Sequence, residues 1–284
     1  MTTRLQSSAD DAVFRSSLTI LAQSQDYVVV DKPPAVVCHH SDWTGSRSKL
    51  EIPMLQRMRE ATGRRVNLVH RLDRGCSGCL LAAFADSEGA TAALSESLQE
   101  GQKTYVALVR GEGILRGRDF RKEGWFLVDR EIKDESGQLN TASTWFRFVA
   151  GQDGVDSNQP RASLVLARPT TGRWHQIRRH LNGLSHPILG DSSHGNSRTN
   201  REWRSQRGLL PERTCLHLTH VQLSSGLDVT APLAVDMMEL LEQHMPRVLE
   251  QAVPILETEG VHLWGTGTSS TVPFEVSLSQ SDLI

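Results

Sequence analysis

The segment 70–78 reads His-Arg-Leu-Asp-Arg-Gly-Cys-Ser-Gly and places one carboxylate, Asp73, among two arginines and a histidine. Cations near a carboxylate favour its ionised form, and the glycines allow the backbone an unusual path around it. An ionised aspartate in such a loop can serve as a nucleophile or a base near neutral pH. The alternative is a salt bridge on a surface turn, which is the more common role of an aspartate between arginines.

Hydropathy patterns around this segment predict more strands than helices. Apolar or alternating runs bounded by turn residues predict strands at 27–30, 78–84, 103–110, 125–128, 143–149 and 162–167, with 27–30 as the first ordered element. Helical spacing of apolar residues predicts helices at 49–60, 86–99 and 232–245. Residues 151–160 are predicted to be a surface insertion and 257–284 a loosely attached tail. Because strands and helices do not alternate regularly, we expect an α+β fold with a mixed or antiparallel sheet.

A second polar block, 168–183, reads Arg-Pro-Thr-Thr-Gly-Arg-Trp-His-Gln-Ile-Arg-Arg-His-Leu-Asn-Gly. The threonine pair 170–171 can cap a helix that ends at Leu181, with the final Asn-Gly as its left-handed exit. On that helix His175 lies one turn from the arginine pair 178–179. The planar fork of an arginine suits a carboxylate or a phosphate. The block therefore predicts an anion-binding helix, with an ordinary basic surface helix as the alternative.

Composition limits the possible classes of protein. With 284 residues and 38% hydrophobic content, the chain can bury a substantial core as one large or two modest domains. The four cysteines show no paired framework, so we expect an intracellular, cytoplasmic protein. No apolar run approaches the ~20 residues that span a bilayer, so no membrane association is expected. Residues 1–25 faintly resemble an organelle transit peptide, although Asp10 and Asp11 argue against that.

Charge is distributed unevenly along the chain. The net charge is −2, yet residues 161–213 contain ten arginines against three acidic residues, whereas 214–284 contain one arginine against nine. A basic segment of this kind can bind nucleic acid, or it can be a solvated surface with acidic cover.

Four blocks in order resemble the RluA family of RNA pseudouridine synthases. Residues 70–78 are similar to the family's H-R-L-D-x-x-T-S-G signature, and residues 30–39 to its first K-P block. Lys-Thr-Tyr at 103–105 matches K-x-Y, and 172–180 matches G-R-x-H-Q-I-R-x-H, followed by H-P-I-x-G-D. Within the family, residues 179–201 look closest to the tRNA pseudouridine synthase C branch, which favours tRNA over rRNA as the substrate.

The resemblance implies roles for individual residues. Asp73 stands at the catalytic aspartate that attacks the uridine and lets the base detach, rotate and rejoin through C5. Tyr105 stands at the tyrosine that packs on the uracil, Arg178 at the arginine paired with the aspartate, and Arg71 at the residue that fills the gap left by the flipped base. Basic and histidine side chains near these blocks are predicted to contact RNA: Lys32, His70, Arg71, Arg74, Arg173, His175, Arg179, Arg198 and Arg201.

The resemblance also implies an architecture. We expect the pseudouridine synthase catalytic fold at 26–248, with a central mixed, mainly antiparallel sheet flanked by helices and loops. Residues 1–25 would be a flexible N-terminal segment, too short for the S4 RNA-binding domain of many relatives, and 249–284 an acidic C-terminal extension. A monomer without cofactor or metal is expected.

Two departures from the family pattern keep rival functions open. Cys76 replaces the usual threonine and Cys79 a glycine, which creates the C-x-x-C spacing of redox and zinc sites. The strand-like run after them disfavours a redox helix, and a second C-x-x-C is absent from the sequence. The other rival is a catalytically inactive RNA-binding protein on the same fold.

Overall fold

The computed structural model describes residues 14–40, 51–155, 159–264 and 270–276. Its strands are β1 (Phe14–Gln23), β2 (Tyr27–Lys32), β3 (Val66–Leu68), β4 (Ser77–Phe84), β5 (Gln102–Arg110), β6 (Ile114–Leu115), β7 (Arg118–Asp119), β8 (Phe126–Asp129), β9 (Ile132–Lys133), β10 (Leu139–Asn140), β11 (Ser143–Gln152), β12 (Ala162–Pro169), β13 (Leu216–Gln222), β14 (Asp228–Thr230) and β15 (Ser270–Val276). Its helices are α1 (Met54–Thr62), α2 (Ala90–Glu100), α3 (Gln176–Gly183), α4 (Ser197–Gln206), α5 (Val235–His244) and α6 (Pro246–Thr258).

One large sheet organises the molecule. Nine strands follow the order β15-β1-β2-β4-β13-β5-β12-β11-β8, with β3 paired to β4 and β14 paired to β13. Within the described residues, the pair β4–β13 is parallel and the other pairs are antiparallel. This arrangement confirms the predicted mixed, mainly antiparallel sheet with helices around it.

The centre of the sheet is the most deeply buried part. Every residue of β4 is buried, as expected for a continuous apolar run between two neighbouring strands. Gly78 brings β4 and β13 together: its φ is +107°, and a Cβ there would lie 2.2 Å from the Leu218 carbonyl oxygen. The loop that carries Asp73 therefore leads directly into the most deeply buried part of the core.

Predicted helices are present with shifted ends. The prediction at 49–60 corresponds to α1, which begins at Met54 after Pro53, and residues 49–50 lie outside the described residues. The prediction at 86–99 starts too early, because Gly89 is left-handed (φ 72°) immediately before α2. The prediction at 232–245 becomes α5.

The predicted capping of the 168–183 helix is wrong. Helix α3 begins only at Gln176, because His175 has a left-handed backbone (φ 54°) that a helix cannot continue through. The Thr171 hydroxyl donates instead to the Gln176 side chain at 2.7 Å. The left-handed residue after the helix is Ser185 (φ 60°) rather than the Asn-Gly pair.

Both ends of the chain contribute to the sheet, which corrects two predictions. The first strand is β1, not 27–30, and it lies within the segment 1–25 that was expected to be flexible. Strand β15 pairs with β1 in antiparallel register from Phe14↔Val276 to Ile20↔Ser270. Part of the predicted loose tail is thus a strand, because its backbone groups complete the edge of β1. Residues 1–13, 265–269 and 277–284 of these two segments lie outside the described residues, as do residues 156–158 of the surface insertion predicted at 151–160.

Candidate active site

Two buried cations, Lys32 and Arg213, bind backbone carbonyl oxygens of the loop that carries Asp73. Lys32 Nζ donates to the carbonyl oxygens of Arg74 and Cys76, at 3.2 and 2.7 Å. Arg213 Nη1 donates to the carbonyl oxygen of Gly75 at 2.9 Å. Three consecutive carbonyls after the aspartate are thereby satisfied without water. This fixes the turn and directs the Asp73 side chain away from the core.

The predicted RNA contact of Lys32 is wrong. Its side chain is fully buried, and its ammonium group donates its hydrogen bonds to backbone carbonyl oxygens. Burial lowers the pKa of Lys32 to about 8, with smaller opposing effects from nearby thiols. A lysine in this position organises the loop and is out of reach of a phosphate.

Asp73 meets a guanidinium from α3. Arg178 Nη1 donates to Asp73 Oδ2 at 2.6 Å, and the Asp73 side chain keeps 34% of its surface exposed. The remaining Arg178 donors, Nε and Nη2, bind both oxygens of the fully buried Asp191 at 2.7 and 2.8 Å. Asp191 Oδ1 also accepts the backbone N–H groups of Ser193 and His194 at 2.9 Å. Asp191 thus binds one edge of the Arg178 guanidinium, and the Nη1 group at the other edge donates to Asp73.

Electrostatics reinforces this arrangement. Burial by itself lowers the pKa of Arg178, but its hydrogen bonds to Asp191 and the charge of Asp73 outweigh it and raise that pKa above its ordinary value. Burial raises the pKa of Asp191, and the Arg178 hydrogen bonds outweigh this and lower it. Both groups are therefore charged at neutral pH, as a buried, doubly hydrogen-bonded pair requires.

A small cavity of about 170 Å³ opens beside the Asp73 carboxylate. Its walls combine apolar side chains with the two charged groups, and they include Asp73, Cys76, Tyr105, Ile177, Arg178 and Leu216. Burial raises the pKa of Tyr105, with the nearby Cys76 and Asp73 adding to the effect. The phenol is thus protonated at neutral pH and lies in the same cavity as the carboxylate.

A wider cavity of about 580 Å³ adjoins the small one and opens to solvent. Arg71 and Arg173 are exposed and line both cavities, so the structure brings these two predicted RNA contacts to the entrance. Trp174 and His175 line the wider cavity on the α3 side.

Other predicted RNA contacts are engaged elsewhere. His70 Nε2 accepts the Leu81 N–H at 3.1 Å, and burial lowers the pKa of His70 to about 4. Arg74 pairs with Glu51 and Glu212 at 2.9 and 3.1 Å. These two side chains have structural partners inside the protein, although they line the wider cavity.

The remaining arginines lie away from Asp73. Arg179 Nη1 donates to the Lys133 carbonyl oxygen at 2.7 Å and lines a separate cavity beside β9. Arg198 and Arg201 are exposed on α4. None of these three lines either cavity at Asp73.

The cysteines of the C-x-x-C segment do not face one another. Cys76 lines the cavity at Asp73, whereas Cys79 Sγ contacts the carbonyl oxygens of Thr219 in β13 and Val229 in β14. All four cysteines are buried free thiols, and burial raises the pKa of Cys76 to about 12. Buried, protonated thiols of this kind are inert. Among the described residues, no three acidic, histidine or cysteine side chains group as a metal site would require.

Comparisons with known proteins show to which family the chain belongs. The model of the RNA pseudouridylate synthase family matches residues 26–183. The chain is 33% identical over 223 residues to tRNA pseudouridine synthase C of Yersinia pestis, covering 75% of this chain and 86% of the relative. It is 32% identical over 235 residues to the protein of the same name from Salmonella typhimurium, with coverage of 80% and 89%.

The chain belongs to the RNA pseudouridylate synthase family. It is accordingly an isomerase of the RNA pseudouridine synthase class, as the sequence motifs predicted. Two solved human structures share its fold. RNA Pseudouridylate Synthase Domain Containing 1 superimposes with a TM-score of 0.56 at 23% identity, covering 76% of this chain and 83% of that one. Domain Containing 4 gives 0.57 at 21% identity, with coverage of 79% and 92%.

Sequence reasoning missed two residues of this synthase site. Asp191 stands at the end of the H-P-I-L-G-D block, but the sequence analysis gave it no role. An acidic residue shortly after the arginine pair 178–179 could have indicated a salt bridge to one of them. His194, which contacts His175 at 3.0 Å, carried no pattern that would reveal it. Every described helix of the synthase is too short or too polar to cross a lipid bilayer.

Proposed function

We propose that this synthase converts a uridine of structured RNA, with tRNA favoured, into pseudouridine, with Asp73 as the attacking carboxylate. The observation that carries the proposal is the 2.6 Å contact between Asp73 Oδ2 and Arg178 Nη1 at the mouth of the small cavity. The arginine keeps the carboxylate charged and aimed, while a third of the Asp73 side-chain surface stays open to a substrate.

The chemistry is an exchange of bonds on one nucleotide. Asp73 attacks C1′ of the uridine, so an Asp73–C1′ ester bond forms as the N1–C1′ glycosidic bond breaks. The detached uracil then rotates, C5 bonds to C1′, and the Asp73–C1′ bond breaks to release the carboxylate. C5 then loses its proton and N1 gains one, so the product is an isomer and no co-reactant is consumed. Tyr105 packs on the uracil and assists the removal of the C5 proton.

The size of the cavity supports a single flipped base as its occupant. A volume of about 170 Å³ falls below the ~300–1,000 Å³ that is common for sites of drug-sized ligands. Enzymes that act on a base in a folded nucleic acid extrude it, and this costs a few kcal/mol. Arg71, exposed at the entrance, fills the gap left in the RNA stack and offsets part of this cost.

The entrance also provides the charge that RNA requires. Arg71 and Arg173 border both cavities. A groove lined by Lys103 and Arg173 continues from the small cavity along the ends of β5 and β12; Arg168 also lines it but pairs with Glu259 at 3.0 Å. Lysine and arginine side chains placed in this way bind phosphates independently of sequence. We assign the positioning of the RNA to this rim.

The choice of tRNA rests on the names of the relatives. The proteins that match at 32–33% identity over most of their length are called tRNA pseudouridine synthase C. The rim described above fits any structured RNA with an extruded base, so rRNA is the alternative substrate.

Tritium release from RNA labelled at uridine C5 tests the proposal. Wild type should release tritium from tRNA, and Asp73→Asn should abolish release while binding tRNA with unchanged affinity. Asp86→Asn is the control, because Asp86 is an exposed aspartate that also pairs with an arginine, Arg64. Release by Asp73→Asn at the wild-type rate would overturn the assignment. Binding without release by wild type on both tRNA and rRNA would instead show an inactive RNA-binding protein.

A further inference from the structure

His175 lies between the Asp73 carboxylate and a second histidine. Its Nε2 is 3.6 Å from Asp73 Oδ2, and its Nδ1 is 3.0 Å from His194 Nε2. The first distance is just beyond hydrogen-bond length, and catalytic hydrogen bonds are often this long before the substrate binds. Each nitrogen of the His175 ring therefore faces one specific partner.

The backbone adopts an uncommon conformation at His175, and a neighbouring ring packs on the imidazole. His175 has a φ of 54°, which is uncommon for a residue with a side chain. Trp174 stacks on its ring with centroids 3.8 Å apart and planes 21° from parallel. A strained residue held in place by its neighbours is a frequent feature of functional sites.

Both histidine rings are neutral at physiological pH. Burial lowers the pKa of His175 to about 4, the Asp73 charge opposing this and the Arg178 charge adding to it. Burial also lowers the pKa of His194. The charged groups acting on the two rings are Asp73, Arg178, Arg179 and Asp191.

A neutral imidazole carries one N–H and one lone pair, so only one arrangement satisfies all the contacts. If His175 held its proton on Nδ1, its Nε2 lone pair would face the negative Asp73 carboxylate and repel it. With the proton on Nε2, the N–H points at Oδ2, and Nδ1 accepts a hydrogen bond from the Nε2–H of His194. The charge of Asp73 thus selects the Nε2–H tautomer of His175, and a hydrogen bond donated by His194 to Nδ1 stabilises it.

The selected tautomer has a consequence for Asp73. Arg178 Nη1 and His175 Nε2 both approach Oδ2, and Oδ1 has no hydrogen-bond partner among the described residues. Two donors on one oxygen leave the other with the available lone pairs.

We propose that His194 and His175 form a donor relay that fixes Asp73 so that Oδ1 is the attacking oxygen. This rests on the proposed function, since the relay acts only through Asp73. His194 and His175 are positioning residues: they supply no proton to the reaction, and they hold the carboxylate in one orientation. The RNA contact that the sequence suggested for His175 is replaced by this role.

Two substitutions of His194 separate the relay from a packing role. His194→Gln retains an N–H at the position of Nε2, whereas His194→Met has similar bulk and no donor. His194→Met should lower kcat roughly tenfold or more, the scale of a lost positioning hydrogen bond, with KM for tRNA and Tm unchanged. His194→Gln should stay within about threefold of wild type.

The pH profile provides a readout that packing would not change. In His194→Met no N–H faces Nδ1, so His175 can protonate as the pH falls, and the imidazolium carries an Nε2–H whatever the neutral tautomer was. Burial lowers the pKa of His175 to about 4, so the deficit of His194→Met should shrink as the pH falls from neutral toward that value. An equal deficit at all pH values, or equal losses in both variants, would overturn the relay.

Nitrogen NMR of wild-type protein tests the tautomer without using activity. Long-range ¹H–¹⁵N correlations should show His175 protonated on Nε2 and His194 likewise. An Nδ1–H tautomer of His175 would overturn the relay even in an active enzyme. If NMR shows the expected tautomer but the protein isomerises no uridine, the proposed function is wrong and the hydrogen-bond arrangement is still correct.

Discussion

Arg178 binds Asp191 through two parallel hydrogen bonds, Nε to Oδ2 at 2.7 Å and Nη2 to Oδ1 at 2.8 Å, while its third donor holds Asp73. The pair is nearly inaccessible to water, with side-chain exposures of 6% and 0%. Removing one partner of a buried pair leaves a charge without compensation, which is far more costly than losing a surface pair.

Asp191→Asn should therefore destabilise the fold by about 3 kcal/mol or more and lower kcat by up to ~10²-fold, since Arg178 loses its anchor. Urea unfolding and tritium release measure the two effects. Glu123→Gln is the control, because it breaks the exposed Arg118–Glu123 pair and should cost under about 1 kcal/mol. Equal stabilities of the two variants would contradict the anchoring role.

Tyr105→Phe should separate proton transfer from stacking. The ring remains in the cavity, so tRNA affinity and Tm should stay at wild-type values. Loss of the hydroxyl should lower kcat by about 10²-fold or more if it assists removal of the C5 proton. Single-turnover rates with C5-tritiated RNA measure the effect. A wild-type rate would restrict Tyr105 to packing on the uracil.

Arg173→Gln should weaken RNA binding most strongly at low salt. Each phosphate contact contributes about 0.7–0.9 to the slope of log affinity against log salt. The slope of the variant should be shallower by about one such contact. Arg59→Gln on α1 is the matched control, because Arg59 is exposed and lines neither cavity at Asp73. Parallel slopes for wild type and Arg173→Gln would exclude a phosphate contact.

Acid should destabilise the protein partly through His217. This side chain is fully buried, and burial lowers its pKa from 6.5 to about 3, with the Arg213 charge adding to the effect. Between these pH values the unfolded chain binds a proton that the folded protein excludes, so stability falls as pH falls, by up to ~1.4 kcal/mol per pH unit. In His217→Gln the proton uptake on unfolding near pH 5 should be smaller by about one. Unfolding curves with equal pH slopes would contradict this.

Gly78→Ala should destabilise the sheet more than a positive φ alone explains. Gly78 and Gly226 have similar φ values, +107° and +99°, but only the Cβ at 78 would meet backbone, 2.2 Å from the Leu218 oxygen. Gly226→Ala should cost about 1–2 kcal/mol from its backbone conformation. Gly78→Ala adds separation of β4 from β13 and should cost clearly more. Thermal unfolding of both variants measures the difference, and equal Tm values would contradict the close approach.

The burial of Lys32 and the contact between His194 and His175 could not be predicted, because they depend on residues that are distant in sequence. A lysine just before two prolines resembles a surface lysine, yet Lys32 is buried because the turn after Asp73 offers it carbonyl oxygens. His194 meets His175 only because the chain takes a left-handed step before α3. Such steps depend on tertiary packing, since local propensity disfavours them.

The sequence by itself predicted the buried strands and the proposed catalytic residues. Hydrophobic periodicity reports burial directly, and Asp73, Tyr105 and Arg178 stand in motifs that resemble one family. Only the tertiary structure decided that β1 pairs with β15 and that Asp191 anchors Arg178. It also decided which oxygen of Asp73 is left free. Pairing across most of the chain length and the direction of single hydrogen bonds arise from the packed fold, so no local pattern encodes them.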